Sequence, residues 1–237
     1  MDDIIRRMRV DLEHEADPRT KSSGQRFFRE QVQLHGVRTA VVTRIAKKYF
    51  KEIRMMDKEP IFDLCEELWK SGYLEESFIA CNWSHALSKY YERGDFQVFE
   101  RWVDRYVANW ASCDTLCNHT IGSFLEMYPE NLPNLQSWAK SPNRWMRRAS
   151  AVSLIIPARR GKFLREVFAL ADILLMDADD LVRKGYGWML KSASQAHQKE
   201  VFEYVLARKT VMPRTALRYA IEKMPREWRD EAMGRVK

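Results

Sequence analysis

Apolar residues recur along most of the chain at three- and four-residue intervals, the spacing of an amphipathic helix, and no stretch predicts a strand. In 38–54, Val41, Val42, Ile45, Tyr49, Phe50 and Ile53 form one stripe, with Arg44, Lys47, Lys48 and Lys51 on the other. Similar stripes run through 60–71, 75–92, 95–109, 143–156, 162–176, 180–194, 198–208 and 213–224. The breaks between them are short and carry helix-ending residues: Ser71-Gly72, Arg93-Gly94-Asp95, Pro129 and Pro133, Ser141-Pro142-Asn143, and Met212-Pro213. With no linker or low-complexity stretch, this predicts one continuous all-α body over residues 1–237.

The helices also repeat. Residues 141–149 read S-P-N-R-W-M-R-R-A, and 36 positions later 177–185 read D-A-D-D-L-V-R-K-G. In each, a polar helix entry leads to an apolar residue, two basic residues and a small residue. Weaker echoes occur at 213–224 and 75–83. The spacing is that of α-solenoid units, and the pattern resembles HEAT repeats, in which each unit buries its apolar face only against its neighbours. The small residues after the basic pair, Ala149 and Gly185, are expected to let helices pack closely. Such an α-α superhelix has a concave face along which equivalent positions line up.

Several chemically distinctive residues lie on shared helix faces. Trp110 and Asp114 are four apart, as are Lys184 and Trp188, and Arg148 sits one repeat before that second pair. Each has an ordinary alternative. A Trp on a repeat helix is commonly core, and Trp69, Trp102, Trp138 and Trp145 are assigned to packing. Asp114 stands among Cys113, Thr115 and Leu116 in a region with few charges, where an unpaired carboxylate is costly to bury, so it either caps a helix start or does chemistry. Arg148 belongs to a basic run with Arg144 and Arg147, which reads as a solvated face or, in a groove, as a phosphate clamp.

Composition narrows the classes. With 46% apolar residues, 31% charged, 9 Gly and 8 Pro in 237 residues, the chain has enough apolar content for a core and few turn residues for an all-β fold. No stretch approaches a membrane span, and the first fifteen residues are charged throughout, so neither a membrane protein nor a secreted one is expected. Cys65, Cys81, Cys113 and Cys117 then read as reduced cytoplasmic thiols. Cys113 and Cys117 with His119 lack a second ligand pair at zinc spacing, which favours packing over metal. The net charge of +7 points to a polyanionic partner. Eight Trp leave some for a ligand.

Three segments, W-A-S-C-D at 110–114, R-W-M-R-R-A at 144–149 and K-G-Y-G-W-M-L at 184–190, look like the matching segments of the AlkD-type DNA alkylation repair glycosylases, a family of HEAT-like repeat proteins. The resemblance covers most of the chain through length, helix order and the joint spacing of these segments. It implies an active cleft formed by Trp110, Asp114, Arg148 and Trp188, with Arg148 chosen over Arg147 because Ala149 follows it. An aromatic residue of an early helix, commonly Tyr in the family, corresponds to Phe27 in G-Q-R-F-F-R-E, without the hydroxyl. Arg144, Arg147, Arg183, Lys184, Lys47 and Lys48 are candidate phosphate contacts.

The implied reaction is hydrolysis of the N-glycosidic bond of N3- or N7-alkylated purines in double-stranded DNA, within base excision repair. The damaged base is already cationic and leaves as a neutral purine, so no general acid is needed, and Asp114 has no second carboxylate beside it in sequence. Asp114 would stabilise the cationic sugar and position water, the two Trp faces would favour the cation, and Arg148 would hold a phosphate. The resemblance further implies that the lesion need not be flipped into a deep pocket, in contrast to most base-modifying enzymes. It implies no cofactor or metal, a monomer, and a place in the bacterial cytoplasm or nucleoid. Two other readings stay open: a DNA-structure-binding repeat protein without catalysis, and a protein-binding solenoid. The DNA readings alone require affinity that falls steeply with salt.

Overall fold

In the computed structural model, which describes residues 2–234, the chain is all-α. The described residues contain no strand, only an isolated bridge between Gln33 and Tyr73. Among the described residues no helix is long and apolar enough to cross a membrane. The fold divides into two compact units, Met1–Leu116 and Cys117–Lys237.

The first unit contains α1 (Asp2–His14), α2 (Pro18–Phe27), α3 (Thr39–Ile53), α4 (Lys58–Lys70), α5 (Leu74–Ala86), α6 (Asp95–Tyr106) and α7 (Trp110–Thr115). α3 forms because its apolar positions share one face: Val42, Ile45, Ala46, Tyr49 and Ile53 are buried. That face packs on α5, and the indole nitrogen of Trp83 donates to the Ala46 carbonyl at 2.9 Å. Glu66 of α4 ties in α6 by accepting from Arg101, Trp102 and Tyr106.

Two adjacent carboxylates at the start of α5 hold the extended segment 28–37. Glu75 accepts from the backbone N–H groups of His35, Gly36 and Val37 at 3.0, 2.8 and 3.1 Å. Glu76 accepts from Arg9 at 2.9 Å and lies 3.1 Å from His35 Nε2. Burial pushes the Glu76 carboxyl up, but the hydrogen bonds from His35 and Arg9 outweigh it and leave its pKa below the ordinary 4.5. A carboxyl whose pKa is lowered on folding stabilises the fold above its unfolded value and loses that contribution as pH falls through the folded one. The Tm gap between wild type and Glu76→Gln is therefore expected to narrow as pH drops below 4.5. A gap independent of pH in melts across that range would show that the charge is not its source.

The second unit contains α8 (Gly122–Met127), α9 (Leu132–Trp138), α10 (Arg144–Val152), α11 (Ile155–Arg159), α12 (Leu164–Leu174), α13 (Asp180–Ala193), α14 (Gln198–Arg208), α15 (Arg214–Ala220) and α16 (Arg226–Ala232). The 36-residue repeat appears here as repeated capping. The side chain of Asn143 accepts from Trp145 N and that of Asp179 from Leu181 N, while Ser141 accepts from Asn143 N and Asp177 from Asp179 N. α10, α13 and α15 then pack in succession.

The close helix approach falls at Gly187, two residues beyond the predicted Gly185. A Cβ on Gly187 would stand 2.8 Å from Tyr219 Cβ and 2.9 Å from the Ala216 carbonyl oxygen. At Gly185 the nearest atoms, on Arg148 and Val152, are 3.5 Å away. Gly187→Ala is thus expected to cost about 1–3 kcal/mol by prying α13 from α15. Gly185→Ala should be neutral or gain up to about 1 kcal/mol from helix propensity. Denaturant melts of the two variants test the contrast, and equal effects would sink it.

Trp69, Trp102, Trp138 and Trp145 are buried, as the packing assignment expects. Cys65, Cys81, Cys113 and Cys117 are all free and buried.

Candidate functional site

Within the first unit, the site is built around the start of α7. Asn109 is the N-cap residue, and its Oδ1 accepts from Ser112 N at 2.9 Å. The capping role considered for Asp114 is therefore filled by Asn109, and Asp114 lies within the helix, one turn after Trp110, buried to 8% exposure. A carboxylate at that depth is a strong local charge that water screens poorly. The helical run continues through a π-helical segment, Leu116–Ile121, and such segments are frequent at functional sites.

Trp110 is half-buried in a cluster of aromatic rings. Phe27, the last residue of α2, lies 5.7 Å from it in an edge-on arrangement, and Phe28 lies at 5.6 Å. Phe27 is 68% exposed. Phe27, which the resemblance implies near a lesion, thus lies beside Trp110, and Phe28 adds a third ring that sequence reasoning did not single out. Beside the rings opens a largely apolar cavity of about 300 Å³, walled by Gly24, Leu34, Glu75, Phe78, Trp110 and Ala111 among others. The structure also adds Glu75, the buried carboxylate that fixes the segment after Phe28. Only its unbroken run with Glu76, Glu75-Glu76-Ser77 at the head of an apolar helix, hinted at it.

In the second unit, Arg148 of α10 is 5% exposed. Its guanidinium donates to the Leu181 carbonyl on α13, and its stem lies along Gly185. Trp188, one turn beyond Lys184 on α13, is half-buried. The surrounding basic residues are held by carboxylates: Arg144 by Asp179 at 2.8 Å, Arg147 by Asp177 at 2.6 Å and Lys184 by Asp180 at 2.8 Å. Arg147 also donates to the Ser141 and Pro142 carbonyls, and the Arg144 guanidinium sits 4.8 Å above the Trp145 ring. In the first unit Lys48 pairs with Asp11 at 2.6 Å, whereas Lys47 is exposed and has no ion pair among the described residues. Arg144, Arg147, Lys184 and Lys48 are therefore built into the protein's own ion pairs, and any phosphate would share them.

The net charge divides unevenly. In residues 117–237, Lys and Arg outnumber Asp and Glu by 21 to 13, whereas in residues 1–116 the count is 19 to 20. The excess positive charge thus belongs to the second unit. Among the described residues no group of three or more His, Cys, Asp or Glu side chains could hold a metal ion.

Comparison with known proteins gives the arrangement a context. Residues 8–224 match the family described as DNA alkylation repair enzyme. A solved structure described as a predicted DNA alkylation repair enzyme from Enterococcus faecalis superposes with a TM-score of 0.79 at 17% identity, covering 90% of this chain and 98% of that one. At that identity the likeness speaks to the fold. No curated protein sequence matches the chain.

Proposed function

The chain belongs to the DNA alkylation repair enzyme family, and from that premise we propose that it is a monofunctional glycosylase that removes cationic N3- and N7-alkylated purines from double-stranded DNA. The observation that carries this reading is the buried carboxylate of Asp114 one helical turn from a half-exposed Trp110, itself set among Phe27 and Phe28.

In the reaction, the C1′–N bond of the damaged nucleotide breaks and its electron pair passes to the base, which leaves neutral. The sugar is left as an oxocarbenium-like cation. Asp114 supplies a fixed negative charge toward that cation and takes the proton of the water whose oxygen bonds C1′. The faces of Trp110 and Trp188 favour the cationic base and sugar, on the order of 0.5–2 kcal/mol each. Arg148 orients a phosphate beside the lesion. Phe27 offers the lesion a ring face and no hydroxyl, so its contribution is stacking alone. The reaction drawn needs only water as co-substrate, and a monomer suffices for it. An activity on chromosomal DNA belongs in the cytoplasm or nucleoid.

The test is release of 7-methylguanine and 3-methyladenine from methylated duplex by the wild-type protein, with an abasic site left behind. Duplex binding that weakens with salt, without any base release, would replace this reading by that of a DNA-structure-binding protein.

A further inference from the structure

Helix α2 buries none of its ten residues. It forms because Asp17 caps it, accepting from Thr20 N at 3.0 Å, and because Pro18 presets the backbone of its first turn. Its sequence, PRTKSSGQRF, contains three cations and no carboxylate, and Arg29 follows two residues later. Arg19, Lys21, Arg26 and Arg29 are exposed, and none forms an ion pair among the described residues. Arg26 reaches only the Ser22 carbonyl, at 3.3 Å.

Other cations of the unit also lack an ion pair among the described residues, Arg38, Lys47, Lys51 and Arg54 among them, but many are held. Arg7, Arg9, Arg44, Lys48, Lys58 and Arg101 are each held by a carboxylate from another part of the chain. What sets α2 apart is that its three cations, with Arg29 just beyond, fall within eleven residues on a helix that carries no carboxylate of its own. The underside of α2 is equally distinctive. Gly24 lies directly on Leu34, and with Phe27 it lines the apolar cavity that Phe78 and Trp110 also line. A helix with no buried side chain above a cavity opens at low cost, because little apolar surface is lost to water when it lifts.

We propose that α2 is a flap that clamps the DNA backbone: its exposed cations bind phosphates of the duplex, and the bound duplex holds the helix and Phe27 in the place they already take against Trp110. The inference rests on the reading of the protein as an enzyme acting on DNA. Phosphates neutralise Arg19, Lys21 and Arg26 and release their counterions, while the guanidinium groups of the two arginines hold phosphate oxygens in a fixed geometry. The free energy of those contacts orders a helix that the protein alone holds weakly.

The experiment compares wild type with the triple variant Arg19→Ala, Lys21→Ala and Arg26→Ala. A control triple, Arg54→Ala, Lys89→Ala and Arg105→Ala, removes equal charge from exposed positions elsewhere in the unit. All six sites are exposed, and thermal melts confirm folding. Binding to an undamaged duplex is titrated by fluorescence anisotropy over a salt series. The slope of log K against log salt is expected to fall by about two to three for the α2 triple, at about 0.9 per phosphate contact. The control triple keeps the wild-type slope. Hydrogen exchange at the amides of residues 21–27 is expected to slow when wild type is saturated with duplex. An unchanged slope for the α2 triple, or exchange in α2 that duplex leaves unaltered, overturns the proposal. If wild type releases alkylpurine while the α2 triple binds as wild type does, this inference fails and the glycosylase reading stands. If the slope and exchange change as expected but wild type releases no base, the reverse holds.

Discussion

Replacing Asp114 with asparagine is expected to lower alkylpurine release by about 10²- to 10³-fold, the scale of losing a single preorganised electrostatic contact to a transition state. Asparagine keeps the size of the side chain, removes its charge and basicity, and exchanges one acceptor oxygen for an NH2 donor. The loss should therefore fall on the chemical step, visible in single-turnover release from methylated duplex, with duplex affinity little changed. Asp114 is 8% exposed, so in the proposed mechanism water does little to screen its field. Asp114→Asn releasing base at the wild-type rate would remove Asp114 from the mechanism. An equal loss of duplex affinity would recast it as a residue that shapes the binding surface.

The second large effect is expected at Glu75. Its carboxylate satisfies three backbone N–H groups, those of His35, Gly36 and Val37. Glu75→Ala leaves all three without an acceptor in a buried setting, at about 1–3 kcal/mol for each one that water does not reach. A net loss of about 3 kcal/mol corresponds to a fall in Tm of about 6–12 °C for a chain of this size. Glu75→Gln keeps one carbonyl acceptor and should recover part of the loss. Base release should also fall, because the segment that Glu75 anchors leads back to Phe28 and Phe27 on Trp110. A Tm within 1 °C of wild type would mean that water from the adjoining cavity replaces the carboxylate.

The fold was legible where a long apolar stripe runs through a helix. The stripe at 38–54 is α3, Thr39–Ile53, and that at 180–194 is α13, Asp180–Ala193. The stripe at 143–156 is interrupted at Ser153-Leu154, where α10 gives way to a second short helix carrying Pro157. α1 and α2 had gone unread for different reasons. In α1 the buried Ile4, Ile5, Met8 and Leu12 do share one face, but the run was read for its charges alone. In α2 there is no buried residue at all, so periodicity had nothing to report, and only the Asp17-Pro18 start betrays a helix. A hydrophobic pattern detects helices by what they bury.

The candidate site divides along the same line. Trp110 and Asp114 were legible because four residues of spacing fix their relation on one helix. The partners of the basic cluster were not. Arg147 meets Asp177 thirty residues later, and Arg144 meets Asp179 thirty-five residues later. The polar residues that read only as a helix entry therefore also neutralise the preceding repeat. Glu75 was hidden for a similar reason, since its partners lie about forty residues earlier in an irregular segment.

The four buried thiols give this protein an internal clock for its own opening. Burial drives the Cys65 thiol far above its ordinary pKa, so in the folded state it is both unreachable and protonated. Alkylation at pH 8 can then proceed only from conformations in which the surrounding helices have parted, and its rate counts those excursions. Cys65, Cys81 and Cys113 lie in residues 1–116 and Cys117 in residues 117–237. Mass spectrometry of the labelled thiols would time the opening around each of them, with no engineered probe and no change to the sequence.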